Sequence, residues 1–306
     1  FEIESYDNFI NVLGTPILYW PLLKTDLDQP EYYLQNFAIK NDSIFGTQLL
    51  TDWNMYQVLG WEPQEGTQWS GSLDYLSERG LGLGSNFTYE RDSGFVFPGM
   101  TKGFYDSWFL VNDDGLDNLG RDRRKVPLEE TQRGRTLWRH DHRFQNGDRL
   151  LGEFGWISDR NFLEQYYERE WDEQKDQATS LRYQRLRSNW LLEASADANV
   201  NDFFTQTQWL PRLDAYTIGQ SVFGSRVTWH QHSHIGYADL KVGDAPTNAV
   251  DLLKYDPLAW EAEREGLRMG TRQQLEVPAQ LGAVKVVPYV LGDATYWGED
   301  LSGSEM

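Results

Sequence analysis

Apolar and polar residues alternate with a period of two through most of this chain. Segment 69–90 shows the pattern most plainly. Trp69, Gly71, Leu73 and Tyr75 fall on one side, with Ser70, Ser72 and Asp74 on the other. After a turn at 77–80, Leu81, Leu83, Phe87 and Tyr89 share one side, and Gly82, Gly84, Asn86, Thr88 and Glu90 take the opposite one. Successive side chains of a strand point to opposite faces, so the segment reads as a hairpin with one apolar and one polar face. The same reading predicts strands at 34–40, 43–58, 68–77, 80–90, 103–111, 133–144, 149–158, 178–187, 189–199, 213–223, 226–240, 267–277 and 283–297. The fold class expected is therefore all-β, an antiparallel up-and-down sheet of roughly a dozen strands.

The connections carry information of their own. Those at 77–80, 145–148, 187–189 and 223–225 are short and hold Gly or Asn, as hairpin turns require. Those at 112–132, 159–177, 200–212 and 241–266 are long. From residue 133 onward short and long alternate, as in an up-and-down barrel with its turns at one rim and its loops at the other. The tight turn at 77–80 then falls on the long-loop side. Within the long loops, 161–171 and 257–265 have helical spacing or composition. Ahead of the main set, 12–21 reads as a short apolar strand bounded by Pro16 and Pro21.

Composition narrows the choice of solvent less than it narrows the fold. The chain has 13 Trp, 16 Tyr and 15 Phe, residue types that strands favour. No apolar run approaches the ~18 residues of a membrane helix, but a membrane strand needs only ~9–11 and alternates. A net charge of −19 argues against nucleic acid as a partner. With no Cys, disulfides and thiolate metal sites are excluded. The chain opens on Phe1 without a signal-peptide core, so it is expected to be a fragment or a processed form.

Candidate chemistry is sparse. The five histidines are His140, His142, His230, His232 and His234. The last three share one strand face, where imidazoles can chelate zinc. Same-face neighbours lie ~6.5–7 Å apart, however, and no acidic residue sits between them, so a polar strand face is the favoured reading. Asp113, Asp114 and Asp117, and Glu168, Glu170, Asp172 and Glu173, read as solvated loop carboxylates. Loop 112–122 lacks an EF-hand pattern for calcium. Glycines 80, 82 and 84 lie within a strand and make no phosphate loop. There is no Ser-His-Asp, Cys-His or Gly-x-Ser-x-Gly signature, so neither enzymatic activity nor a cofactor is expected. The basic residues Arg121, Arg123, Arg124, Lys125, Arg133 and Arg135 are read as balancing Asp113–Asp122, in preference to meeting lipid phosphates.

Five segments together resemble the family of the LPS-assembly protein LptD, also called organic solvent tolerance protein. They are PILYWPLL at 16–23, LDYLSERGLGL at 73–83, LWRH at 137–140 continuing through Asn146-Gly147 to GWISDRNF at 155–162, WLPRL at 209–213, and QLEVP at 274–278 followed by VVPYV at 286–290. The resemblance implies that 1–33 are the end of a periplasmic jelly-roll-like domain and lead-in. It implies that 34–306 are the N-terminal half of a transmembrane β-barrel, an open fragment in the outer membrane of a Gram-negative-type cell. The implied work is insertion of lipopolysaccharide into the outer leaflet. The implied partners are lipopolysaccharide, outer-membrane lipid, an LptE-like plug lipoprotein and an LptA-like periplasmic bridge. Phe37, Ile39 and Phe45 would belong to the strand at a lateral seam, and Gly82, Gly84, Asn86 and His232 would face the lumen. As a half-barrel, the sheet should have 34–40 at one edge and 283–297 at the other. Two other readings remain open: a soluble carbohydrate-binding or glycoside-hydrolysing β-protein, with aromatics gathered in one cleft beside two carboxylates, and a porin-like outer-membrane barrel of another kind.

Overall fold

The computed structural model describes residues 2–12, 15–26, 33–173, 177–258 and 261–298. In chain order, β1 (Glu2–Val12) and β2 (Thr15–Asp26) precede β3 (Leu34–Asp42) and β4 (Gly46–Asn54). Helix α1 (Met55–Leu59) leads to β5 (Thr67–Leu76), β6 (Gly80–Arg91) and β7 (Gly99–Leu110). The short β8 (Asp117–Asn118) and β9 (Arg124–Val126) precede β10 (Arg133–Phe144) and β11 (Arg149–Ile157). Helices α2 (Phe162–Tyr166) and α3 (Glu168–Asp172) are followed by β12 (Thr179–Arg187), β13 (Trp190–Ala198), β14 (Gln206–Val222) and β15 (Val227–Lys241). Helix α4 (Ala249–Leu252), β16 (Arg264–Glu276), β17 (Ala279–Leu281), β18 (Val284–Val286) and β19 (Tyr289–Trp297) complete the chain.

Thirteen strands form one antiparallel sheet in the order β19-β16-β15-β14-β13-β12-β11-β10-β7-β6-β5-β4-β3. Each strand pairs with its neighbour along the chain, which is the up-and-down order. The sheet is open: β3 and β19 are its two edges and do not pair with each other. β1 and β2 form a separate hairpin, as do β8 with β9 and β17 with β18.

Because the strands run alternately up and down, the connections divide between two ends. The turns at 43–45 and 77–79 share one end, the loop end, with the connections 111–132, 158–178, 199–205 and 242–263. The opposite, turn end carries 55–66, 92–98, 145–148, 188–189, 223–226 and 277–288.

Several expected boundaries move for identifiable reasons. The strand expected at 43–58 stops at Asn54, whose side chain accepts hydrogen bonds from the N–H groups of Tyr56 and Gln57 and so caps α1. Gly60, left-handed at φ 66°, ends that helix. The last strand begins at Tyr289, because Val284–Val286 fold back on Ala279–Leu281. The described residues of 257–265 are not helical. The helix of that loop is α4, where the Asn248 side chain accepts from the Asp251 N–H. β2 runs through both Pro16 and Pro21, which suits a strand paired on one side only.

The apolar core is small and sits at the loop end. Ile157, Phe162 and Leu163 are buried there, with Trp108, Tyr166, Tyr167, Phe203 and Phe204 packed around them. The loop carrying α2 and α3 thus folds back over one face of the sheet.

Candidate functional site

The two faces of the sheet differ sharply in chemistry. Following the register across strands, one face carries Phe37, Leu49, Leu73, Leu83, Phe109, Phe154, Leu181, Leu192, Leu213, Ile235 and Met269. These side chains are open to solvent: Leu73 is 46%, Leu181 51% and Leu213 52% exposed. Among the described strand residues of this face, charge occurs only at the ends. Arg91, Arg185 and Arg187 lie at the turn end, and Asp239, Lys241 and Glu265 at the loop end. Aromatics lie toward both ends, with Trp53, Trp69, Phe87, Trp190 and Trp229 near the turns and Tyr75, Phe109, Trp156, Tyr237 and Tyr296 near the loops. Tyr105 and Trp138 sit between them. An exposed apolar surface spanning thirteen strands is far larger than a soluble monomer shows.

Tyr89 departs from this pattern. It shares a side with Leu81 and Leu83, as expected, but is buried beside Phe95, and its hydroxyl is 2.6 Å from His140 Nδ1. His140 and His142 therefore lie on the apolar face, stacked in a row with Trp138.

The opposite face is laced with ion pairs: Arg149–Asp141 at 2.7 Å, Arg212–Asp214 at 2.7 Å and Arg182–Asp197 at 3.4 Å. All four residues expected to face a lumen lie on this side, namely Gly82, Gly84, Asn86 and His232. The two glycines do not leave open space. A Cβ on Gly82 would come within 2.7 Å of Trp108 Cζ2, and one on Gly84 within 3.0 Å of its Cδ1. The indole lies over both, and its Nε1 donates to Asp74 at 2.9 Å. Of the expected seam residues, Phe37 and Ile39 lie exposed on edge strand β3, whereas Phe45 does not belong to the strand. It sits in the turn after β3, its ring 5.4 Å from that of Tyr166 and 5.7 Å from the Arg79 guanidinium.

That turn touches a buried cluster of charges. Arg133 donates to both oxygens of Asp159 at 2.8 and 2.9 Å, and to both oxygens of Asp117 at 2.7 and 3.0 Å. It also reaches Asp113 at 3.1 Å, while Arg79 approaches Asp113 and Asp117 at 3.3 Å each. The Tyr166 hydroxyl donates to Asp113 at 2.6 Å. All five charged side chains are buried. Asp113 and Asp117 are thus not the solvated loop carboxylates expected, and the cations among them are guanidiniums. Burial pushes the Asp117 carboxyl up from the usual range, against the hydrogen bond and charge of Arg133 and the charge of Arg79. The basic residues act largely as charge balance. Arg123 pairs with Glu164 and Asp251, and Arg135 with Asp106 and Glu170. Arg121 and Arg124 are different: they line an open cleft of about 860 Å³ at the loop end, with Trp171 and Lys254.

The histidine strand divides. His230 Nε2 faces Glu276 at 3.7 Å. His232 Nε2 lies 2.8 Å from Asp214 Oδ1 and its ring stacks on Tyr216 at 4.1 Å. Asp214, His232 and His234 can bring one ligand atom each within 4.8 Å. Sequence reading missed Asp214, which arrives from β14 through the Asp214–His234 register. The spacing of Arg212, Asp214 and Tyr216, one face of a strand, was the available signal. Arg212 grips both oxygens of Asp214, at 2.7 and 2.9 Å, and its charge opposes a metal ion there.

Neither a protein-family model nor a curated protein sequence matches this chain.

Two outcomes test the loop-end network. Arg133→Met takes a guanidinium from three buried carboxylates, leaving Arg79 to Asp113 and Asp117, and should destabilise the fold by about 3–5 kcal/mol in urea melts followed by Trp fluorescence. Exposed Lys102→Met should change it by less than about 0.5 kcal/mol. Burial disfavours ionised Asp251, but hydrogen bonds from Asn161, Asn248 and Arg123 outweigh it and hold the carboxyl below its ordinary value. A depressed carboxyl stabilises the fold above its unfolded pKa of about 3.9 and loses that stabilisation as pH falls through the folded value. Proteolysis within 242–263 should therefore accelerate below about pH 4, and Asp251→Asn should flatten that dependence.

Proposed function

We propose that this chain is the first half of an outer-membrane β-barrel of the LptD type, working in the delivery of lipopolysaccharide to the outer leaflet. The observation that carries the membrane part is the thirteen-strand apolar face with charge confined to its ends. In water such a surface is costly, and in hydrocarbon it is the required one. Aromatics near both strand ends fit the two interfaces of a bilayer and speak against aromatics gathered in a glycan cleft. The charged face then belongs to an aqueous interior. Loops 111–132, 158–178 and 242–263 gather at one end of it, as surface-exposed loops of such barrels do.

Hydrocarbon offers no partner to a free strand edge, so the unpaired edges of β3 and β19 require further strands before the sheet can span a bilayer. The lipopolysaccharide assignment rests on the resemblance of the five segments, and the polar face supplies a surface suited to sugars and phosphates. The partners proposed with it are an LptE-like plug and an LptA-like bridge.

Leu213→Arg, on the apolar face in mid-strand, should lower stability in a bilayer by about 2–4 kcal/mol, measured by denaturant titration in lipid vesicles. The same change should cost little in a water-soluble fold, because Leu213 is already 52% exposed. The lipopolysaccharide reading is tested by photoreactive groups at Asn86 and His232 in cells making the lipid. Lipopolysaccharide adducts at both positions are expected. Their absence, with membrane insertion intact, would overturn the lipid assignment in favour of a porin-like barrel.

A further inference from the structure

The apolar face contains one depression with a charged margin. Strands β12 to β15 align Tyr183 with Ala194, Leu213 and Ile235, and align Arg185 with Leu192, Ala215 and Ser233. The small side chains of Ala194, Ala215 and Ser233 lie lower than their neighbours. The result is a trough of about 530 Å³ walled by Leu192, Leu213 and Ile235. That volume is in the range of small-molecule sites. Arg185 closes its turn end.

The charge there has one sign to spare. Arg185 and Arg187 reach Asp148 at 2.9 and 2.7 Å, and the Tyr183 hydroxyl also donates to that carboxylate. Hydrogen bonds from Arg185 and Tyr183, joined by Arg187, hold the Asp148 carboxyl well below the usual carboxylate range. Two guanidiniums thus share one buried carboxylate. Their side chains remain 45% and 36% exposed. In a chain of net charge −19, the charged residues among the described strand positions at the turn end of the apolar face are cations, namely Arg91, Arg185 and Arg187. The loop end of the same face carries Asp239, Glu265 and Lys241.

We infer that this trough holds one acyl chain of a glycerophospholipid, with its phosphate at Arg185 and Arg187. The assignment rests on the membrane reading above. The trough takes hydrocarbon, and the guanidiniums are suited to paired hydrogen bonds with phosphate oxygens. Arg side chains at the end of an apolar face also reach naturally toward headgroups. The site therefore selects lipids with an anionic head, at the turn-end surface of the bilayer.

The test uses the chain in neutral detergent, offered phosphatidylglycerol, diacylglycerol with the same acyl chains, or inorganic phosphate, and read by native mass spectrometry. One phosphatidylglycerol should be retained per chain, diacylglycerol about tenfold more weakly, and phosphate not at all. Ala215→Phe fills the trough without touching an ion pair and should weaken retention about tenfold, as should Arg185→Gln with Arg187→Gln. Equal retention of the two lipids, retention unchanged by Ala215→Phe, or no retention would overturn the site. Quenching of Trp fluorescence by brominated acyl chains separates the two levels. Quenching without selective retention overturns the site and leaves the membrane reading standing, whereas no quenching overturns both.

Discussion

Everything in this sheet depends on keeping ionised groups off the middle of one of its faces. Side chains alternate, so a one-residue slip in any strand would exchange its leucines for its arginines. The register holds across thirteen strands despite irregularities in β14, where extra residues lie between Trp209 and Arg212 and between Thr217 and Gln220. Each irregularity resets the alternation. Leu213 thus returns to the apolar side after the first, and Gln220 and Val222 after the second, while Arg212, Asp214 and Tyr216 stay on the polar one.

The acidic composition finds its use on the other face. Where a soluble protein of this size would place a large apolar core, the loop end has a network of Asp113, Asp117 and Asp159 around Arg79 and Arg133. Burying such charges is expensive unless each is paired and hydrogen-bonded. Arg133 meets that condition with bidentate contacts to two carboxylates, and Tyr166 occupies a further acceptor on Asp113. Such a network rigidifies only when complete, so it ties together segments that are remote in sequence.

The strands were legible because a period of two is a local signal, their up-and-down order came from the connections between them, and the two edges followed only from the half-barrel expectation. Asn54 shows where that signal gives out: its capping bonds end β4, although apolar residues continue through Met55, Tyr56, Val58 and Leu59. Gly82 and Gly84 read as small lumen residues, but only the register brings Trp108 across from β7 to cover them. Asp113 and Asp117 read as solvated because nothing in their neighbourhood announces Arg79 or Tyr166, which come from a distant turn and from α2. Asp214 was missed beside His232 for the same reason, since partnership across a ladder is not written along either strand. Phe45 falls within the strand expected at 43–58, but it belongs to the turn before β4 that meets this network.

The connections that carry the charge network, 77–79, 111–132, 158–178 and 242–263, all lie at one end of the sheet. In the unfolded chain its carboxylates and guanidiniums are separate groups on segments remote in sequence. They meet only when the turn holding Arg79 and the loops holding Asp113, Asp159 and Asp251 reach the same end of the sheet. Once Arg133 is enclosed and Arg123 joins Glu164 to Asp251, pulling these segments apart means breaking that network. The ion network thus works as a clasp, closed across one end of the sheet by strands that must first be aligned beneath it.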